Sequence, residues 1–543
     1  MKKTLKLLSN LVGFTGIWTV LPIYFLENQQ ILPVTTKQAF YMTAALSAWI
    51  MLNNLWSIAC EGKQFSEFQA GDGLIPDTGL KKDSPQKRAA TYPKIPTELI
   101  SKNPEGIILG CDKGRYVRIK NQILHSCIVG GSGSGKTSTV ILDTLLANYS
   151  APELEMLTFC IDIKGELHEK ATKKDDPTIY VVDPSNRRTA GWDVWYRLHG
   201  DPSDDLIVES MEEIAEALIV STNPKDMFFV VNARSMFTGL LVYYFKKGES
   251  FIDAVNHILE SDAKKLIEEI IEESVKSDLW YQYLAKFVGK KAESVEDCMV
   301  EMTTNLSVFS KSDVKFCFRD NAVKASPAAF KENKSIFLAI PEHLLGSYQA
   351  IMRLCTAQVL QDLQRRPDAD AAAKPILVLI DEFARLGRVE TIFNALATLR
   401  SKKTMVMLAF QSMAQMEVIY SKEEARVIAD NCRIKVICEC ADPDTAKDIS
   451  AWCGNYQNKK ETLNGGKNRS KSYTYEEKPI VEQGDLITLI KKEEVILIIS
   501  GIGYLRPKKC YYFKDRKISS LADQVREFNQ RYANSASSDH RFR

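Results

Sequence analysis

Residues 121–138 read NQILHSCIVGGSGSGKTS, an apolar run that ends at Val129 and is followed at once by Gly130, Gly131, Ser132, Gly133, Ser134, Gly135, Lys136 and Thr137. The spacing is a complete G-x-x-x-x-G-K-T. Glycines let the backbone curl so that successive N–H groups face one point, and a helix beginning near Lys136 adds its positive end there. Lys136 can then reach the outer phosphates of a nucleotide, Thr137 can hold a magnesium ion, and Ser138 completes the contacting stretch. The strand-like run before the turn and the helical STVILDTLLANY after it supply the context such a loop requires.

A phosphate loop needs a partner for the metal and the water. Residues 375–387 read PILVLIDEFARLG, with an unbroken apolar run from Ile376 to Ile380 ending in Asp381 and Glu382. Such a run predicts a strand buried on both faces of a parallel sheet, whose carboxyl end is where ligands bind. Asp381 is placed to hold magnesium and Glu382 to polarise an attacking water.

The 543 residues suffice for more than one core, and 71 basic against 69 acidic residues leave a formal charge of +2, which neither announces nor excludes nucleic acid. The 12 cysteines form no paired C-x-x-C units and read as reduced, packed thiols of a cytosolic domain. The beginning of the chain differs from the rest. Residues 7–26 and 38–60 are free of charge and long enough to cross a membrane as helices. Lys2, Lys3 and Lys6 precede the first run, and Lys63, Lys81, Lys82, Lys87 and Arg88 follow the second, so the positive-inside bias places both ends in the cytoplasm. Residues 1–61 are therefore expected to be a two-helix anchor and 62–97 a stalk rich in Gly, Pro, Asp and Lys.

Two short apolar runs, 106–109 and 116–119, predict a hairpin that leads into the phosphate-loop strand. A first part of a nucleotide-binding domain is expected over 98–203, with strands ending at Asp162 and Asp183 and with Lys164 in a turn. That lysine can serve the phosphates, a neighbouring subunit or a salt bridge. Residues 204–323 carry helical periodicity throughout and predict an inserted all-helical domain. From residue 201 to 300 there are 20 acidic and 10 basic side chains, a poor surface for gripping a phosphate backbone and a better one for docking protein.

The domain resumes over 324–515. Strands are predicted at 334–340 and 404–410, then at RIKVICEC and 495–501, with a helix around 445–453 and a polar lysine-rich loop before the last strand. Gln411, at the end of a strand next to the acidic pair, can hydrogen-bond both the water and the terminal phosphate. Arg400 either caps its helix or, if subunits assemble head to tail, reaches a neighbour's nucleotide as an arginine finger. Arg385 and Arg388 are weaker candidates for that task. Residues 516–543 are polar and read as a loose tail.

The phosphate loop with DIKGEL at 162–167, VVDPS at 181–185, LIDEFARLG at 379–387 and AFQS at 409–412 resembles the coupling proteins of type IV secretion and conjugation systems, the TraG/TraD-like membrane ATPases. The resemblance extends over residues 1–515. It implies an α/β, RecA-like P-loop NTPase domain with an inserted all-helical domain and a two-helix transmembrane anchor. It further implies a multi-pass protein of the bacterial inner membrane that uses ATP and Mg2+ and forms a homo-hexamer. Expected partners are the secretion channel components, secreted proteins or a relaxase–DNA complex, and single-stranded DNA in the channel. Carried over residue by residue, it makes Lys136 and Thr137 the nucleotide and magnesium contacts, Asp381 and Glu382 the magnesium and water pair, Arg400 a finger and Gln411 a phosphate sensor. Relatives often have Trp-Asn-Pro where this chain has Trp192-Asp193-Val194, and nothing is carried over there. The alternatives are a DNA pump of the chromosome-segregation type, which would carry a basic winged-helix module after the motor, and a nucleotide-regulated cargo receptor with little turnover.

Overall fold

The computed structural model describes residues 94–120, 122–151, 156–220, 227–368, 373–464 and 470–539. The anchor runs at 7–26 and 38–60 and nearly all of the stalk lie outside the described residues.

The core is a sheet of nine strands, which we number in chain order: β1 (Ser126–Val129), β2 (Leu157–Ile163), β3 (Ile179–Val182), β4 (Ser335–Ile340), β5 (Ile376–Ile380), β6 (Thr404–Phe410), β7 (Ile434–Ile437), β8 (Ile496–Ile499) and β9 (Gly503–Leu505). Their spatial order is β9-β8-β7-β1-β6-β5-β2-β4-β3. All neighbours from β7 to β3 are parallel, and β8 and β9 extend the sheet antiparallel. The continuous apolar runs follow from burial on both faces. In β5, Ile376, Val378 and Ile380 enter the hydrophobic cluster on one face while Leu377 and Leu379 enter the cluster on the other.

One face carries the helix that continues from the phosphate loop, Leu142–Tyr149, together with the predicted hairpin, Ile107–Asp112 paired with Arg115–Ile119. The other is continuous with the inserted helices. That insertion opens with Asp204–Leu218 and is built around Met227–Lys246, which packs against Asp204–Leu218, Phe251–Glu260 and Ala292–Leu306. Among the described residues Met227–Lys246 is the one helix long and apolar enough to cross a membrane, yet Val230, Phe237, Leu240 and Leu241 along it are buried inside the insertion. A short parallel pairing, Gly191 with Lys324 and Trp192 with Ala325, closes the neck. Arg353 then ties insertion to core: it is buried on the core helix Gln349–Gln364 and donates to the carbonyls of Ala217 and Leu218, at the carboxyl end of the first inserted helix, and to Asn305.

Two expectations are corrected. The stretch read as a lysine-rich loop contains a two-stranded antiparallel ribbon, Asn455–Asn464 with Ser470–Pro479. The Asn464-Gly465-Gly466 sequence is the hairpin signal that could have revealed it. The tail read as loose begins with a helix, Arg516–Asp539, whose Ile518 and Val525 are buried against the sheet face that holds the phosphate-loop helix. Low overall hydropathy concealed a narrow apolar stripe, which suffices when the remaining faces meet water.

Candidate active site

β1 runs directly into the glycine-rich turn. Gly130 N–H donates to Phe410 O at 3.2 Å and Ser134 N–H to Gly131 O at 3.2 Å, so the loop closes on itself at the carboxyl edge of the sheet. Two of its glycines take backbone angles that other residues avoid, φ +76° at Gly133 and +96° at Gly135. Gly130 is required for space as well, because a Cβ there would lie 2.4 Å from Ser134 Oγ. A wide helical turn, Thr137–Ile141, starts the helix, and its Thr139 N–H donates to Gly135 O at 2.9 Å.

Lys136 is almost fully buried. Its Nζ donates to Gly130 O at 2.6 Å and lies 3.4 Å from Glu382 Oε1. Loop carbonyls and a carboxylate therefore hold the cation where phosphate oxygens would compete for it. Thr137 Oγ1 donates to Asp381 Oδ2 at 3.4 Å. Asp381 lies at the end of β5, and its Oδ1 is buried without a hydrogen-bond partner. Burial pushes the Asp381 carboxyl up to about 6, and the charges of Glu382 and Asp162 push in the same direction, against Lys136 and the Thr137 hydroxyl. A desolvated carboxylate oxygen without a partner, beside a threonine hydroxyl and a second carboxylate, is the hard oxygen donor set that suits magnesium. The residues present fit that ion.

Glu382 sits in the left-handed region at φ 57°, ψ 52°. For a residue with a Cβ this costs about 1–2 kcal/mol, and the turn directs the carboxylate back over the loop. Gln411, just past the end of the adjacent β6, donates from Nε2 to Glu382 Oε2 at 3.1 Å. Lys136, Thr137, Asp381, Glu382 and Gln411 thus form one connected group, although 275 positions separate the first from the last in a chain numbered 1–543.

The sequence matches the family described as type IV secretory system conjugative DNA transfer over residues 81–535. The chain belongs to that family. Protein VirD4 of Agrobacterium fabrum (strain C58) is 24% identical over 423 residues, covering 73% of this chain and 60% of that protein. The type IV secretion system-coupling protein VirD4 of Bartonella quintana is 23% identical over 428 residues, covering 74% and 65%. The chain spans about 60% of the length of the Agrobacterium relative. Two solved structures of the conjugative coupling protein TrwB share the fold: the unbound form at TM-score 0.57 and 14% identity, over 79% of this chain and 92% of that one, and a complex with ADP and Mg2+ at TM-score 0.55 and 15% identity, over the same shares. This conjugative-transfer family member therefore has a RecA-like mixed α/β core with an inserted helical subdomain.

The other expected residues of this family member are not brought to the loop. Arg400 is exposed before β6 begins, and its charge acts on His125, which precedes β1. It therefore stands at the amino edge of the sheet, opposite the nucleotide loop. Arg388 is committed to Glu424 and Glu390, each at 2.8 Å. Arg385 is exposed one turn after Glu382, on the loop's edge of the sheet. Lys164 pairs with Glu342 at 3.3 Å, both side chains being exposed. Asp162, one residue before the end of β2, accepts from the N–H groups of Leu167 and His168 and so caps the helix Glu166–Ala171. Sequence reasoning missed Lys509, a buried lysine whose Nζ donates to Ser134 O at 2.6 Å, and Tyr512, whose N–H donates to Ser138 O at 3.1 Å. No local pattern marks either one, because both arrive from beyond β9.

Proposed function

We propose that this chain is the motor of a membrane-anchored coupling ATPase, which uses ATP hydrolysis to feed secreted proteins or relaxase–DNA complexes to a type IV secretion channel. The observation that carries the reading is the connected group of Lys136, Thr137, Asp381, Glu382 and Gln411 in a chain of the conjugative DNA transfer family.

In this reading the loop N–H groups and Lys136 bind the phosphates, with Lys136 exchanging Gly130 O for a phosphate oxygen. Magnesium, when bound, neutralises charge on the outer phosphates, and Thr137 and Asp381 would hold it. Glu382 orients and polarises the attacking water, and Gln411 fixes the Glu382 carboxylate while sensing the terminal phosphate. Arg400 cannot serve its own subunit from the far edge of the sheet, so a finger role for it requires a neighbour in a ring, for which the family resemblance suggests six subunits. The charge-free runs at 7–26 and 38–60 support a two-pass anchor in the inner membrane with the motor in the cytoplasm. The acidic insertion supports recognition of protein cargo, leaving any single strand of DNA to the ring channel.

The test is ATP turnover of the full chain in lipid nanodiscs, with and without cargo, against Lys136→Ala. Cargo-stimulated turnover that the substitution abolishes is the expected result. Turnover no higher than that of Lys136→Ala overturns the motor reading in favour of a nucleotide-regulated receptor. In vivo crosslinking then separates cargo classes: a relaxase recovered with plasmid DNA marks conjugative coupling, and effectors without DNA mark protein secretion.

A further inference from the structure

The phosphate loop follows β1, and the sheet order gives it two unlike flanks. On one side lie β6 and β5, which deliver Gln411, Asp381 and Glu382. On the other lie β7, β8 and β9. Lys136, Thr137 and the acidic pair mark the end of the loop that takes the outer phosphates, so the inner phosphate, and the sugar and base beyond it, must leave toward the β7–β9 flank.

The segment after β9 is built onto that flank. Lys509 Nζ holds Ser134 O at 2.6 Å and Tyr512 N–H holds Ser138 O at 3.1 Å, so two bonds pin residues 509–512 to the loop and the first helical turn. Between those two pins stands Tyr511. Its ring edge lies 3.6 Å from where a Cβ on Gly135 would be, and Gly135 has no side chain to screen it. The ring is half-buried. Lys514 Nζ sits over the ring, 4.7 Å from its centroid, and is itself on an exposed stem paired with the exposed Glu493 at 2.5 Å. The ammonium over the ring and its carboxylate partner are both exposed, so a planar group arriving from solvent can displace them. Phe513 packs against Tyr511 at 5.3 Å between centroids and limits its rotation.

We propose that Tyr511 is the base platform of the nucleotide site, stacking on the purine of a nucleoside triphosphate whose phosphates lie in the 130–138 loop. The inference rests on the nucleotide reading above and adds what that reading leaves open, namely which part of the chain meets the base. Stacking on a π face tolerates either purine, so ATP and GTP use the same platform.

The experiment compares ATP, GTP and inorganic tripolyphosphate, each with Mg2+, binding to the full chain by calorimetry. Tyr511→Ala is expected to weaken ATP and GTP about tenfold, within the range of one lost stack, while tripolyphosphate stays within about twofold. Tyr511→Phe is expected to restore wild-type affinity. Equal loss for tripolyphosphate and ATP, or no loss for ATP, overturns the platform. Lys136→Ala separates the two readings, because a wild-type chain whose binding of ATP and tripolyphosphate is unaffected by that substitution removes the nucleotide site itself. Photolabelling of the unsubstituted chain with 8-azido-ATP gives a readout that does not depend on how the variants fold. Label within the peptide containing Tyr511 supports the proposal, and label confined to other peptides overturns it.

Discussion

Gln411 Nε2 and Glu382 Oε2 are 3.1 Å apart at the ends of two adjacent parallel strands, so the side chain that can sense a terminal phosphate is bonded to the one that can polarise water. Removing the amide frees the carboxylate without touching the phosphate loop. Gln411→Ala should therefore keep ATP affinity within about twofold while turnover falls roughly 10²-fold, the usual cost of one lost oriented donor. Equilibrium binding and steady-state hydrolysis on the same preparation decide it, and a parallel loss of affinity would contradict it.

Glu382→Gln keeps the size of the side chain and removes its charge. Turnover should fall by about 10²–10⁴, and Lys136, relieved of its 3.4 Å carboxylate partner, should bind ATP at least as tightly as before. Tighter nucleotide retention with stalled hydrolysis is the expected signature in a filter-binding assay.

For Arg400 the expected result is loss of turnover on the order of 10³ with intact ATP binding, as in finger-dependent NTPases. Rings mixed from Arg400→Ala and Glu382→Ala subunits should regain part of the activity, because some interfaces then pair an intact arginine with an intact carboxylate. Absence of rescue in demonstrably mixed rings would leave Arg400 a cap on its own helix.

Arg353 makes bonds that no uncharged side chain can copy, to two helix-end carbonyls and to Asn305. Its burial lowers the guanidinium to about 10, still charged at neutral pH. Arg353→Ala should cost roughly 2–4 kcal/mol by chemical denaturation. The inserted helices should gain protease sensitivity first.

His125 carries a pH dependence. Its Nδ1 accepts from Val406 N–H at 3.0 Å, which requires the neutral ring, and burial, reinforced by the Arg400 charge, lowers it to about 4. The unfolded chain takes up this proton near 6.5 and the folded chain only near 4, so stability falls as pH drops through that window and levels off below it. At pH 5 the loss should be about 2 kcal/mol relative to pH 7.5. In urea denaturation at the two pH values, His125→Asn should remove that slope; an unchanged slope would assign it to other groups.

What could be read from the chain alone is whatever is decided within a dozen or so residues. The strand-turn-helix at 126–149 follows from glycines that permit positive φ beside an apolar run. The strands Ile376–Ile380 and Thr404–Phe410 follow from continuous apolar stretches that end in Asp381 and Gln411. The helical insertion follows from its 3.6-residue period. Tertiary structure decided the rest. Strand order brought Glu382 and Gln411 within bonding distance of each other and placed Arg400 at the opposite edge. Pairing across the chain laid Lys509 and Tyr512 on the loop, and a narrow apolar stripe packed the polar helix Arg516–Asp539 against the core. Local turn chemistry and periodicity are encoded by neighbours in sequence, whereas these contacts exist only because burying both faces of one sheet selects a single arrangement of distant segments.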